Sequence, residues 1–328
     1  MKAVMSKLPV IATMIGDPAG VGPEVAVKAV ATGELDDLCL PLLIGDIGVL
    51  QRAADICGVN RPLHKIDSIA QLEPRPNAIH VLDPGGYDSV GVEYGIPSAG
   101  GGRAVLEWSR VATGLGKSGQ IHGLVVGPKN SAAMKLAGSM AVIGMPAPGT
   151  FMLRMSGPLR VVPLSEHYPL AEALAMIQPE LVLQVIRLLH ENLVKWGLPQ
   201  PRIAVAGINP HAMFEQDHAL IAPAVEQARA LGMDVTGPIV PDAVFRMAIK
   251  GKFDAVVTMY HDQGQIAIKT VSFDGACTVH LGLPYIRIGV PHGTAFDIAG
   301  KGIAQHGSML SSMKTAAMLA AGKGVFRN

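Results

Sequence analysis

Three histidines stand in comparable places along the chain. His167 follows LRVVPLSE, His211 follows RIAVAGINP and His261 follows DAVVTMY, each a few residues beyond an apolar, β-branched run. Neutral imidazoles carried by separate strand ends can converge on one divalent metal and leave positions open for a substrate oxygen. The separations of 44 and 50 residues match no local metal motif, so position relative to the apolar runs carries this reading. Taken singly, each is equally an ordinary loop or buried histidine. In YHDQG, Asp262 beside His261 is the kind of group that orients a metal-bound imidazole, and it could equally cap the helical segment QGQIAIK. His211, in INPHA, follows a proline that forces an extended turn and projects the next side chain outward.

Two cations stand out. Lys269 lies in GQIAIKTV and Arg287 in LPYIRIGV, stretches apolar enough to be read as buried. A buried charge needs a counter-ion or an anionic ligand. Arginine offers a planar fork for carboxylate or phosphate, lysine a point charge. A structural ion pair with Asp242 or Asp262 is the competing reading. The glycine-rich turn GDPAGVGPE only loosely resembles a dinucleotide fingerprint, because Asp17 and Pro18 occupy the stretch that should approach pyrophosphate. Further along, HGTAFDIAGKGIA, residues 292–304, lets backbone amides approach a flat ligand or simply makes a tight connection.

These groups need a scaffold that presents them together. Unalternated apolar runs at 10–17, 40–46, 79–83, 121–127, 159–164, 201–207, 253–259 and 285–290 suit strands buried on both faces. Helical patterns such as PEVAVKAVATGE, GGRAVLEWSRVATGLG, ELVLQVIRLLHENLVKWG and ALIAPAVEQARALG alternate with several of them. Alternation predicts βαβ units and a mostly parallel α/β fold, whose ligands collect beyond the carboxyl ends of the strands. The closing SMLSSMKTAAMLAAG reads as a packing helix.

Composition bounds the function. The length of 328 residues suits about two domains. With 16% charged and 49% hydrophobic residues, the chain is not a disordered one. Its 27 basic and 26 acidic side chains leave no field to gather nucleic acid. No apolar stretch reaches the roughly 20 residues of a membrane span. Cys39, Cys57 and Cys277 are odd in number and far apart, which fits a reduced, cytoplasmic setting. The opening MKAVMSKLPVIATM is read as leading into a first strand rather than as a signal peptide.

Taken together, GDPAGVGPE, NPHA, YHDQG, LGLPYIR and HGTAFDIAGKGIA resemble the 4-hydroxythreonine-4-phosphate dehydrogenase family of pyridoxal phosphate synthesis, over nearly the whole chain. The resemblance implies a two-domain α/β/α fold of the isopropylmalate dehydrogenase type, mostly parallel, with its active-site cleft between the domains. The first domain would comprise residues 1–130 plus 295–328 and the second 131–294. It implies a homodimer with the metal site at the subunit interface and a nicotinamide cofactor, NAD or NADP. Residue by residue, it implies His167, His211 and His261 as ligands of a divalent metal such as zinc, cobalt, magnesium or manganese. Lys269, Thr278 and Arg287 would contact the substrate, with Asp242 and Lys269 as catalytic groups. His292, Gly293, Thr294, Ala295 and Asp297 would line the cofactor.

The chain departs from the family pattern at several points. Pro148 and Gly149 stand where the family has a His-Thr pair that touches substrate, and Thr278 replaces an asparagine. His280 replaces a threonine, the stretch after NPHA is shortened to MFEQD, and Ser131 replaces a lysine, with Lys129 two residues earlier. The expected activity is oxidation of a secondary alcohol, with or without decarboxylation, on 4-phosphooxythreonine or a related small anionic hydroxy acid. A threonate or erythronate 4-phosphate and a dihydrodiol dicarboxylate are alternative substrates. A non-catalytic metal- or small-molecule-binding protein is the alternative of another class.

Overall fold

A computed structural model describes residues 8–74, 77–88, 91–139, 145–271 and 277–324; the two opening lysines, Lys2 and Lys7, lie outside them. The described residues fall into two compact units, one within 1–143 plus 284–321 and the other within 144–283 plus 322–328.

The first unit opens with β1 (Val10–Met14), α1 (Gly22–Ala31), β2 (Leu40–Ile44), α2 (Ile47–Cys57), β3 (Leu63–Ile66), β4 (Ile79–Leu82), α3 (Ala99–Lys117), β5 (Gly123–Val126) and α4 (Ser131–Leu136). Helix starts follow local chemistry. Asp46 accepts from Val49 N at 2.8 Å, Ser98 from Gly101 N at 3.0 Å and Asn130 from Ala133 N at 2.9 Å. Each such cap is worth about 1 kcal/mol. Pro23 sits in the first turn of α1, where its missing N–H costs nothing.

The second unit holds β6 (Phe151–Ser156), β7 (Leu159–Pro163), α5 (Leu170–Ala175), α6 (Pro179–Lys195), β8 (Ile203–Ala206), α7 (Ala222–Ala230), β9 (Val235–Ile239), α8 (Val244–Ile249), β10 (Ala255–Thr258), α9 (His261–Val271) and β11 (Cys277–Leu281). The chain then returns to the first unit with β12 (Ile286–Gly289) and α10 (Gly307–Ala320).

In the first unit the strand order is β3-β4-β2-β1-β5-β12, every pair parallel. In the second it is β11-β6-β7-β10-β8-β9, with β6 antiparallel to both β11 and β7 and the rest parallel. The mostly parallel α/β fold is the one expected. Strands buried on both faces explain the unalternated runs: β4, β8 and β10 are buried at every residue. Around β10, Leu159, Val161, Ala204, Val256, Phe253 and Ile268 form the apolar core of the second unit. The β6–β7 hairpin turns through Gly157 at φ 53°, in the left-handed region open to glycine.

All eight apolar runs contain a strand. The structure adds four that the runs did not mark, β3, β6, β9 and β11. No helix among the described residues is long and apolar enough to cross a membrane. The three cysteines are free thiols.

Candidate functional site

Strands β7, β10 and β8 are consecutive and parallel, so their carboxyl ends emerge along one edge of the second unit's sheet. His167 stands four residues past β7, His261 three past β10 and His211 five past β8. The pairing continues beyond the strands, with Leu164 N donating to the Thr258 carbonyl at 2.9 Å. This brings the His167 and His261 rings to 5.0 Å between centroids. Nδ1 of His261 lies 2.7 Å from an Asp262 carboxylate oxygen. That contact engages one ring nitrogen and leaves Nε2 as the other candidate ligand atom, the arrangement by which a carboxylate orients a metal-bound imidazole.

A third donor joins the pair. Ligand atoms of Glu166, His167 and His261 all lie within 4.8 Å of one another. Ligands at zinc-type bond lengths sit about 3–4 Å apart around the ion, so small side-chain rotations close the set. Two imidazoles and a carboxylate are a donor set that suits zinc, cobalt or manganese. The residues present therefore fit a divalent metal. His211 is not in this group.

His211 is exposed and its backbone is strained. Its φ is 61° and that of Ala212 is 52°, two successive non-glycine residues in the left-handed region. Such conformations cost about 1–3 kcal/mol each and persist only where the surroundings impose them. Here the imposing group is Asp217, fully buried. One of its carboxylate oxygens accepts from Ile208 N at 2.7 Å, and the other accepts from Asn209 Nδ2 at 3.2 Å and Phe214 N at 3.3 Å. The loop bearing His211 is thus wrapped around a buried carboxylate.

The remaining second-unit candidates are more dispersed. Lys269 is exposed on α9, not buried as its apolar neighbours implied, because the helical period turns Gly264 and Ile268 inward and Ile266 and Lys269 outward. Asp242 is exposed in the turn preceding α8. No ion pair within 4.0 Å joins Lys269 or Arg287 to a carboxylate among the described residues. Thr278 is half-buried on β11, directly opposite Arg154 of β6.

In the first unit, residues 292–304 pack onto the GDPAGVGPE turn. Val21 N donates to the Thr294 carbonyl at 3.0 Å, and a Cβ on Gly20 would lie 2.9 Å from the Thr294 side chain. Ala295 has φ 42°. His292 Nδ1 lies 3.0 Å from the Gly293 carbonyl, while Asp297 offers its own carbonyl to Lys301 Nζ at 2.8 Å. Beneath the loop, buried Glu24 accepts from Gly300 N at 2.6 Å and Gly302 N at 3.0 Å. Lys28 reaches the carbonyls of Gly302 and Ala304.

With this geometry in view, a family model described as pyridoxal phosphate biosynthetic protein PdxA matches residues 37–316. The chain belongs to the PdxA family. It is 41% identical over 317 residues, 96% of each chain, to a protein of Novosphingobium aromaticivorans named putative 4-hydroxythreonine-4-phosphate dehydrogenase. It is 37% identical to a D-threonate 4-phosphate dehydrogenase of Cupriavidus necator, over 95% of this chain and 98% of that one. A solved 4-hydroxythreonine-4-phosphate dehydrogenase from Burkholderia phymatum superposes with a TM-score of 0.85 at 36% identity, over 95% of this chain and 98% of that one. Its relatives are dehydrogenases, so this PdxA chain is an oxidoreductase of that type.

Several polar residues of this PdxA protein escaped the sequence reading. Glu24, Asp217 and Gln263 act on backbone groups of other segments, which no local motif announces. Arg154 lies on β6, which no apolar run marked, and Glu166 in the turn after β7. Asp17 is buried, with one oxygen accepting from Ala19 N at 3.0 Å and burial pushing its carboxyl upward. Lys129 lies beside Arg287; burial, and then the Arg287 charge, push the ammonium down to about 8. Arg287 Nε is itself buried without a hydrogen-bond partner.

Proposed function

We propose that this PdxA-family chain is an NAD- or NADP-dependent, divalent-metal-dependent dehydrogenase that oxidises the secondary alcohol of a small phosphorylated hydroxy acid. The observation that carries the reading is the His167–His261 pair at the carboxyl edge of the second unit's sheet, its rings 5.0 Å apart. His211 is assigned to the same centre, with its strained loop presenting the imidazole outward. A bound divalent ion would polarise the alcohol oxygen and favour its deprotonated form.

The chain's own groups would do the rest. Asp262 orients the His261 ring, and Arg287 with Lys129 supplies positive charge for the substrate anion, with Lys269 and Thr278 as further contacts. Asp242 is kept as a proton-handling carboxylate. The 292–304 loop, clamped from below by Glu24 and Lys28, offers His292, Gly293, Thr294, Ala295 and Asp297 to the nicotinamide cofactor. For the substrate, 4-phosphooxythreonine and D-threonate 4-phosphate are both consistent with the relatives. Pro148 and Gly149 at the place of the family's His-Thr pair favour testing the second as seriously as the first.

We place the active form as a homodimer with the metal centre at the interface. Exposed Tyr168, Leu170, Leu174, Met213, Phe214 and Ile266 lie on the segments that bear the three histidines, and an apolar surface of that kind calls for a partner. Three free thiols, two of them buried, suit a reducing cytoplasm. The test is steady-state oxidation of both substrates with NAD and NADP, alongside metal analysis of His261→Ala. Undiminished metal content in that variant overturns the centre; absence of turnover with every acid favours a binding protein instead.

A further inference from the structure

Glu166 and Arg154 form a buried ion pair. Both guanidinium Nη atoms donate to the carboxylate at 2.5 Å, Nη1 to one oxygen and Nη2 to the other. The Arg154 and Glu166 side chains are only 8% and 5% exposed. Nη1 also donates to the Met152 carbonyl at 3.0 Å, while Nε is buried with no partner. Desolvating two charges costs several kcal/mol per ion, and apolar residues of similar volume often serve stability as well or better. A pair buried at that cost invites a role beyond packing.

The location of the carboxylate supplies one. A carboxylate has about four acceptor positions, and a fork-on guanidinium takes one from each oxygen. The remainder are free on a group whose oxygen lies within 4.8 Å of the His167 and His261 nitrogens. Glu166 directly precedes His167, so a single turn after β7 delivers both.

We propose that Glu166 is a ligand of the divalent metal, making the centre a histidine–carboxylate site, and that Arg154 fixes the carboxylate by binding it from behind. Arg154 is opposite Thr278 in the β6–β11 register, which places the clamp next to a residue assigned to the substrate. A carboxylate oxygen suits harder ions such as manganese better than an all-imidazole set does. The inference rests on the metal reading above and adds the carboxylate to it.

The test measures metal binding directly, by Mn2+ titration followed through the electron paramagnetic resonance of the free ion, on apo protein with no turnover involved. Glu166→Gln leaves Arg154 buried and unpaired and can destabilise the fold, so the deciding variant is the double Arg154→Met/Glu166→Gln, which removes both charges together. Its Mn2+ dissociation constant should rise by about 10- to 100-fold or more over wild type. Arg154→Met alone, which keeps the carboxylate, should still bind Mn2+. A folded double variant with wild-type affinity overturns the proposal, as does an Arg154→Met variant that loses as much affinity as the double. Wild-type protein that binds neither Mn2+, Co2+ nor Zn2+ overturns the metal reading itself, and with it this ligand.

Discussion

Gln263 ties two of the histidine-bearing loops together: its Nε2 donates to the Gly207 carbonyl at 2.8 Å, and its Oε1 accepts from Met259 N at 2.7 Å. One side chain therefore fixes the exit of β8, which leads to His211, against the exit of β10, which leads to His261. Gln263→Glu keeps the acceptor, removes the donor and sets a carboxylate against the Gly207 oxygen. Urea unfolding should show a loss of about 2–3 kcal/mol, together with weaker metal binding. Wild-type values for both would show that the strap is dispensable.

Gly207 itself has no room for a side chain. A Cβ there would stand 2.7 Å from Ala212 Cβ and 2.8 Å from an Asp217 carboxylate oxygen. Gly207→Ala should push the His211 loop off Asp217, cutting turnover about tenfold or more while leaving the far-ultraviolet circular dichroism spectrum native. Tenfold corresponds to about 1.4 kcal/mol of transition-state stabilisation. Unaltered kcat/KM would show that the strained conformation of His211 has no bearing on the reaction.

Much of this architecture is legible in the sequence, and the exceptions have physical causes. Eight strands announced themselves because both faces are buried. β11 did not, since Thr278 and His280 alternate with buried Cys277, Val279 and Leu281 and leave no continuous apolar run. β9 carries Gly237 and Pro238 at the sheet edge, where a missing N–H is tolerated. The three histidines stood out because each follows a strand end, where ligand-binding groups of such folds collect. The carboxylates that shape the loops were not, because Glu24 bonds amides 276 and 278 residues away.

Glu24→Gln should act on cofactor binding. An amide can accept with only one of its two heteroatoms, so one of the two amides, at Gly300 or Gly302, loses its acceptor. Hydrogen bonds to a charged group contribute about 1.5–3 kcal/mol, which predicts a rise in KM for the nicotinamide cofactor of about tenfold or more with kcat little changed. Equal KM values for variant and wild type would separate the clamp from the cofactor.

Lys129 predicts a pH dependence with a definite sign. Its folded value of about 8 lies below the ordinary 10.5, so between those limits the unfolded chain binds the extra proton. Stability from this group therefore rises with pH across that window, and its full destabilising effect is felt below about 8. Thermal unfolding of Lys129→Met should lack that rise relative to wild type. Substrate binding should change the opposite way in the wild type alone, kcat/KM falling as Lys129 loses its charge above about pH 8. Parallel profiles for the two proteins in both measurements would remove Lys129 from the anion site.

The thiols provide a check on burial. Cys39 and Cys277 are buried and pushed up to about 12, chiefly by burial, so neither presents a thiolate near neutrality. Ellman's reagent should titrate only Cys57 in the native protein at pH 8 and all three thiols after unfolding. Rapid reaction of three thiols in the native state would contradict the packing of β2 and β11.

Because Glu24 holds Gly300 and Gly302 while Val21 holds Thr294, helix α1 and the 292–304 loop are joined at both ends of the contact. Neither can open without releasing the other, which makes them a single unit of local unfolding. The amide protons of Val21, Gly300 and Gly302 should then exchange with solvent deuterium at a common rate, and a bound cofactor should slow all three together.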